Sequence, residues 1–509
     1  MMKKRWYRGS ITVFLSLIAA LFLALICTVL ESIRMEGTKV RGAACMDLAL
    51  FSIFGEYERD LLSEYHVLFF DGSYGTGNLS KEKMEARLKF FLSQNADVRD
   101  KGSKIDWFRI QNIQTDVKEY FLATDEGGKA FLNQALLFME GLEKTEQRDH
   151  VIEEAKQIQK KMQILNQKEE QLRNLWEGIS AKEILAFDPV LWLDTYQEKN
   201  VLDQVIPSSF SISEQEISEL EKVSERSKNK GKMEISDRKN KGKEIFKNYL
   251  FLTFGNALDQ KERKGLLYEI EYILGGYKSD RQNLKSVCGE LLNIRWADNF
   301  SWIIQDQGKR KEAEKIIRDR RKKSETEKKK EEKKEEKAEI EKEIQKDDAG
   351  KEKKLEKVDE ITTEMILLLW AYQESLNDVK KLLSGGSVPF QKRSQDWEVQ
   401  SIELWKPDNS IKTQKTEEGW DYEDYLWLLL EMKQILNLPM KALDLIEWEM
   451  KSREGTEYFR ADCCVGGMAA EAFWQTEPVF FRIASAFSGV QSQIVQYSTE
   501  GRFFYGMGE

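Results

Sequence analysis

Apolar residues run without a single charge from Ile11 to Leu30 (ITVFLSLIAALFLALICTVL), and no comparable stretch follows. At 1.5 Å per residue, about twenty residues cross the ~30 Å hydrocarbon core of a bilayer, so this run predicts a transmembrane helix. From Glu31 to about Tyr65 there is no proline. Val40, Ala44, Leu48, Phe51, Phe54, Leu61 and Tyr65 recur at helical spacing. The span is therefore expected to continue as a helix with these residues as its apolar stripe. HVLFF at His66 to Phe70 reads as a short strand, closed by the turn residues Asp71, Gly72 and Ser73 and then Gly75 to Gly77. Between Trp107 and Leu122 apolar residues alternate, but the phase slips near Asn112, which predicts a bulged strand or two short ones. An amphipathic helix over Lys129 to Leu142 would complete an α+β unit near residue 145.

The pattern then turns helical. Val151, Ala155, Ile158, Met162, Leu165, Leu172 and Trp176 fall three and four apart, the seam of a helical hairpin or a coiled coil. Ser211 to Lys243 is polar and reads as a loop, and Asn283 to Phe300 as a helix. Lys309 to about Glu360 is mostly Lys and Glu, which cannot bury a core and is expected as a solvated helix or a disordered insert. Core-like sequence returns at Met365 to Leu383, whose apolar run is too short for a second span. Trp397 to Trp405 suggests a strand, Gly419 opens a helix that Pro439 ends, and Met440 to Arg453 forms another. In the tail from Cys463 to Tyr505, small residues mix with aromatics and the later half adds a strand. The fold class is thus α+β and predominantly helical. Its divisions are a basic leader (1–10), the span (11–30), an α+β unit (31–145), a helical region (146–300), the charged insert (301–360) and a mainly helical C-terminal region (361–509).

Charge sets the orientation. Lys3, Lys4, Arg5 and Arg8 precede the span with no acid among them, which by the positive-inside rule keeps the N-terminus in the cytoplasm and exports the rest across the cell membrane. The apolar run exceeds the length of a signal-peptide core, and Ile26, Val29 and Leu30 do not make a small-residue cleavage site, so the anchor is expected to be retained. With 79 basic and 88 acidic residues the chain has no global pull on nucleic acid. The bilayer is the expected partner.

The segment RGSITVFLSLIAALFLALICTVLESIR resembles the amino terminus of the TadE/TadG-like pseudopilins of tight-adherence (Flp-type) pilus systems: a basic leader ending in Gly, an uncharged helix, then Glu and Arg. The matching positions are Arg8, Gly9, the run from Ser10 to Leu30, Glu31 and Arg34. The resemblance implies processing between Gly9 and Ser10, although Phe14 stands where such substrates carry Glu. It also implies partners among pilus or secretion subunits, met through the N-terminal helix. The first 70 or so residues, with EYILGGYKSDRQNL further on, also resemble an uncharacterised bacterial family of single-pass proteins encoded near such pilus genes.

No catalytic signature competes with this. The two histidines, His66 and His150, are isolated; there is no CxxC, phosphate loop or dinucleotide fingerprint, and no cofactor or metal is expected. Cys45, Cys288, Cys463 and Cys464 read as buried thiols in preference to disulfides. Asp421, Glu423 and Asp424 among Trp420, Tyr422, Tyr425 and Trp427 are the residue types a glycosidase uses, and they support the alternative of a surface-anchored glycan hydrolase. Acids in a first helical turn beside core aromatics explain them more simply. The expectation is a membrane-anchored extracytoplasmic structural or accessory protein, not an enzyme.

Overall fold

The uncharged run and the proline-free stretch after it form one continuous helix in the computed structural model, α1 (Trp6–Phe54). The structure describes residues 6–97, 107–142, 149–178, 188–217, 221–226, 228–235, 242–335, 348–399, 419–433, 437–482 and 493–505. In chain order α1 is followed by α2 (Arg59–Tyr65), β1 (Phe70–Asp71), α3 (Lys81–Ala96), β2 (Gln111–Leu122) and α4 (Asp125–Glu140). Next come α5 (Asp149–Glu177), α6 (Pro189–Gln197), α7 (Val201–Val205), α8 (Gly242–Thr253), α9 (Glu269–Gly275), α10 (Asp280–Ile303), α11 (Gln307–Glu335) and α12 (Asp348–Leu383). The chain closes with α13 (Tyr422–Lys433), α14 (Leu438–Lys451), β3 (Cys464–Thr476) and β4 (Val495–Phe504). The fold is α+β and predominantly helical, with one N-terminal helix long and apolar enough to cross a membrane.

The chain divides into two compact units, each assembled from separated stretches. One takes Met1–Thr145, Leu220–Tyr249 and Asn437–Glu509; the other takes Glu146–Glu219 and Leu250–Leu436. The stretches 146–300 and 361–509, read above as consecutive regions, are each shared between the two.

In the first unit β3 is the central strand of a four-stranded antiparallel sheet, flanked by β2 on one side and by β1 and β4 on the other. The register of β2 shifts between Gln111 and Gln114, where Asn112 takes a left-handed φ of 52°, so the phase slip in the sequence is a bulge. Met46, Leu50, Ile53 and Phe54 of α1 pack with Val117, Met468, Ala470 and Ala472 of the sheet and with Leu88 and Leu92 of α3. Gly42 lets the helix approach closely, since a Cβ there would lie 2.7 Å from the Trp474 ring.

Several expectations are corrected here. The buried stripe of α1 is Cys27, Glu31, Arg34, Thr38, Gly42, Cys45, Met46, Ala49, Leu50, Ile53 and Phe54; of the expected stripe Phe54, Leu61 and Tyr65 are buried, whereas Ala44 is exposed and Val40, Leu48 and Phe51 are 65%, 55% and 66% exposed. The helix is also not continuous to Tyr65; it stops at Phe54, and α2 restarts after a turn through Gly55. His66 caps α2 in the left-handed region, leaving only Phe70 and Asp71 as strand. Pro439 opens α14, where its missing N–H costs nothing, and does not end α13. Trp397 to Val399 form no strand, and the remainder of that expectation lies outside the described residues.

The second unit is built from helices. α10 and α12 pack side by side, and the Trp296 indole donates to the Leu368 carbonyl at 3.0 Å. The seam residues Val151, Ala155, Ile158, Leu165, Leu172 and Trp176 of α5 are buried against α10, α12 and α13, so the three-four pattern serves the core of this unit. Ile366 to Ala371 of α12 are fully buried, as their composition predicts.

Candidate functional site

Glu31 and Arg34 follow directly on the apolar run, and one helical turn separates them, so their side chains share a face of α1. That face is the one turned to the protein: Glu31 is 0% and Arg34 4% exposed. Arg34 Nη2 donates to Glu31 Oε1 at 2.6 Å and Nε to the same oxygen at 2.8 Å. The remaining guanidinium donors go to the Trp107 carbonyl (3.0 Å), the Glu477 carbonyl (2.9 Å) and Thr476 Oγ1 (3.3 Å). Glu31 Oε2 accepts the Phe480 backbone N–H at 2.6 Å. Two turns on, Arg41 donates to the carbonyls of Phe108 (3.1 Å) and Ala96 (2.8 Å).

Two buried charges are costly unless every donor and lone pair is satisfied. Here the pair is satisfied by the end of β3 and by the segment leading into β2. The result is a collar that fixes α1 to the sheet just beyond the apolar run. Sequence patterning marked Glu31 and Arg34 as flanks of the anchor; it gave no sign that Trp107, Thr476, Glu477 and Phe480 meet them, because those residues are separated from them by 73 to 449 positions. Arg8, Gly9 and Ser10 lie within α1, on the far side of the apolar run from the collar.

The apolar run itself is almost wholly exposed. Phe14, Leu21, Phe22 and Leu25 are each about 60% to 70% accessible, so among the described residues nothing covers them. A chain presenting this surface to water would expose far more contiguous apolar area than soluble monomers do.

The other chemical candidates occupy structural posts. Asp421 Oδ1 accepts the Asp424 N–H at 3.1 Å and Asp424 Oδ2 accepts the Asp421 N–H at 3.2 Å, a reciprocal cap on α13. Tyr422 and Tyr425 are buried in the core of the helical unit. His66 stacks on Phe138 at 4.0 Å, and burial holds its pKa below the usual value. His150 lies in α5.

All five cysteines are free and buried. Burial pushes the Cys463 thiol up to about 12, and Cys288 and Cys464 rise for the same reason, so these thiols are poor nucleophiles. Among the described residues no group of three or more His, Cys, Asp or Glu is placed to hold a metal ion.

A cleft of about 390 Å³ lies at the far end of α1, lined by Glu56, Glu58, Phe70, Tyr74, Arg87 and Tyr458 among others. Arg87 and Glu56 pair across it in a bidentate contact, and burial, followed by Asp71 and Asp60, raises the Glu58 pKa.

No curated protein and no solved structure matches this chain. A family model described as a family of unknown function (DUF5702) matches residues 180–317 and 353–476. The interruption between the two matched stretches falls within the Lys- and Glu-rich segment. With just over half of its residues matched, the chain belongs to this family of unknown function, DUF5702.

Proposed function

We propose that this protein is a membrane-anchored, extracytoplasmic structural or accessory component, similar to a minor pseudopilin of a tight-adherence pilus or secretion system. The observation that carries the proposal is α1. A single 49-residue helix begins in an uncovered apolar run and ends in the core of an α+β unit, with a buried ion pair at the transition. Such a helix transmits position: whatever the apolar half packs against in the bilayer fixes where the folded unit stands. The basic residues before it, Lys3, Lys4, Arg5 and Arg8, favour a cytoplasmic N-terminus.

The test is Ala20→Arg, which places a charge at the centre of the run at a cost of about 2.5–3.5 kcal/mol. The variant is expected to lose membrane retention and co-purification with pilus components. Normal fractionation and normal co-purification would overturn the proposal. Sequencing the mature N-terminus sharpens it: Ser10 identifies a processed pseudopilin, and Met1 a plain anchor.

A further inference from the structure

Beside the collar, two consecutive aromatic residues are held outward. Trp107 and Phe108 are 42% and 40% exposed, unusual for large apolar side chains whose backbone is so firmly tied. Each carbonyl is pinned to α1 by a different arginine, Trp107 by Arg34 and Phe108 by Arg41. The Trp107 indole stacks on Phe480 at 5.4 Å with an interplanar angle of 11°, and the Phe480 N–H is held by Glu31. The Phe108 ring lies against Gly37, where a Cβ would come within 2.5 Å of it. Arg109 follows the pair in sequence and Arg482 lies two residues past Phe480, paired with Glu477 at 3.0 Å; both are exposed.

The height of these residues along α1 identifies what they face. Arg34 is four residues past Leu30, and Gly37 seven, which at 1.5 Å per residue is about 6 Å and about 10 Å beyond the apolar run. The polar layer on each side of the hydrocarbon core is roughly 5–8 Å thick, and Trp with neighbouring Arg is enriched in that layer because the indole is apolar over its body and polar at its N–H. We infer that Trp107 and Phe480, with Arg109 and Arg482, form a pad that rests in the headgroup layer of the bilayer in which α1 is anchored, with Phe108 at its outer edge. The inference builds on the membrane-anchor reading. Because the collar already locks the unit to α1, the pad sets the side toward which the helix and its unit lean on the membrane surface.

The experiment uses the full chain reconstituted in phosphatidylcholine–phosphatidylglycerol vesicles. Lipids brominated near the carbonyl or deep in the acyl chain serve as quenchers. The emission lost on Trp107→Phe, which preserves the ring stack, isolates Trp107 from the other tryptophans. It is expected to be quenched more strongly by the shallow bromolipid than by the deep one, and weakly by aqueous iodide. A bimane label on Phe108→Cys is expected to shift blue in vesicles relative to detergent, while the same label on the exposed Tyr458→Cys at the far end of α1 is not.

Trp107 emission open to iodide and untouched by bromolipid, in protein that resists carbonate extraction, overturns the pad and leaves the anchor standing. Protein that washes off the vesicles overturns both. A bimane shift that grows with protein-to-lipid ratio means the pad meets a second copy of the chain, which also overturns the inference.

Discussion

Arg34 in the sheet-containing unit and Arg295 in the helical unit are both buried, and they hold their surroundings in opposite ways. Arg295 donates to Asp378 (2.9 Å), Asp298 (3.2 Å), Asn299 (3.3 Å), the Tyr425 hydroxyl (3.0 Å) and the Phe390 carbonyl (3.1 Å). Asp378 is shared with Lys392 at 2.5 Å, which in turn pairs with Glu374. The neighbouring cations hold the Asp378 carboxyl below its ordinary range despite burial. This is a closed ionic network joining α10, α12 and α13. Arg34 has one acid, three residues away on its own helix, and spends its other donors on two carbonyls and a hydroxyl of distant segments. The first arrangement makes a rigid body; the second clips two loops to a helix. The difference teaches where rigidity is needed: throughout the helical unit, but in the sheet-containing unit at the level where the helix leaves the apolar run.

Three measurements can break or sharpen this contrast. Arg295→Met leaves Asp298 and Asp378 buried with their shared arginine gone, and is expected to cost about 3–5 kcal/mol, read as a lower midpoint of chemical denaturation followed by far-UV circular dichroism. A loss near zero would mean the network is no more structural than the collar.

Next in size is a pH effect in the same unit. Glu271 is fully buried, accepts from the Ala257 N–H (2.9 Å) and the Tyr422 hydroxyl (2.8 Å), and burial raises its pKa to about 7. The folded protein therefore keeps a proton that the unfolded chain gives up near pH 4.5. Its contribution is complete below pH 4.5, falls as pH rises through the folded pKa near 7, and amounts to about 3 kcal/mol. Denaturation midpoints at pH 5 and pH 8 are expected to differ less in Glu271→Gln than in the parent, and an unchanged difference would remove Glu271 as the source.

Smallest is Arg34→Met. It is expected to cost about 1–3 kcal/mol, since Glu31 keeps its N–H donor. Faster hydrogen exchange should be confined to segments around Trp107 and Glu477. Exchange rising evenly across β3 would show that the collar supports the whole sheet.

How much of this was legible in the sequence depended on whether a residue's partner was local. The span from Ile11 to Leu30 was readable because twenty uncharged apolar residues have one physical use, and the bulge at Asn112 because alternation has a fixed period. The buried side of α1 was read correctly at Phe54 and misread before it, since Val40, Leu48 and Phe51 form an apolar stripe of their own while the packed side uses Thr38, Gly42 and Cys45, small residues that admit Trp474 and the sheet. The first half of β3 gave no alternation: CVGGMAA is buried on both faces and built from small residues, with Phe121 pressing on Gly466 and Gly467. The collar was half legible. Glu31 and Arg34 stood out as flanks, but a charge in a sequence reads as solvated until its distant partners are known. Arg226 was hidden in the same way. It sits in a stretch that reads as a polar loop, yet pairs with Glu447 and Asp462 more than 200 positions away.

The placement of β3 also fixes an order of events during synthesis. Its partners β1 and β2 are complete by Leu122, but β3 begins at Cys464, so the sheet cannot close until about 340 further residues have been made. At roughly 5–20 residues per second that is an interval of about 20 to 70 s. Throughout it, the packed face of α1, from Thr38 to Ile53, waits without the strand it will cover. β3 therefore closes a unit whose folding begins with α1, and truncation or stalling before Cys464 would leave an open half-domain for quality-control proteases to find.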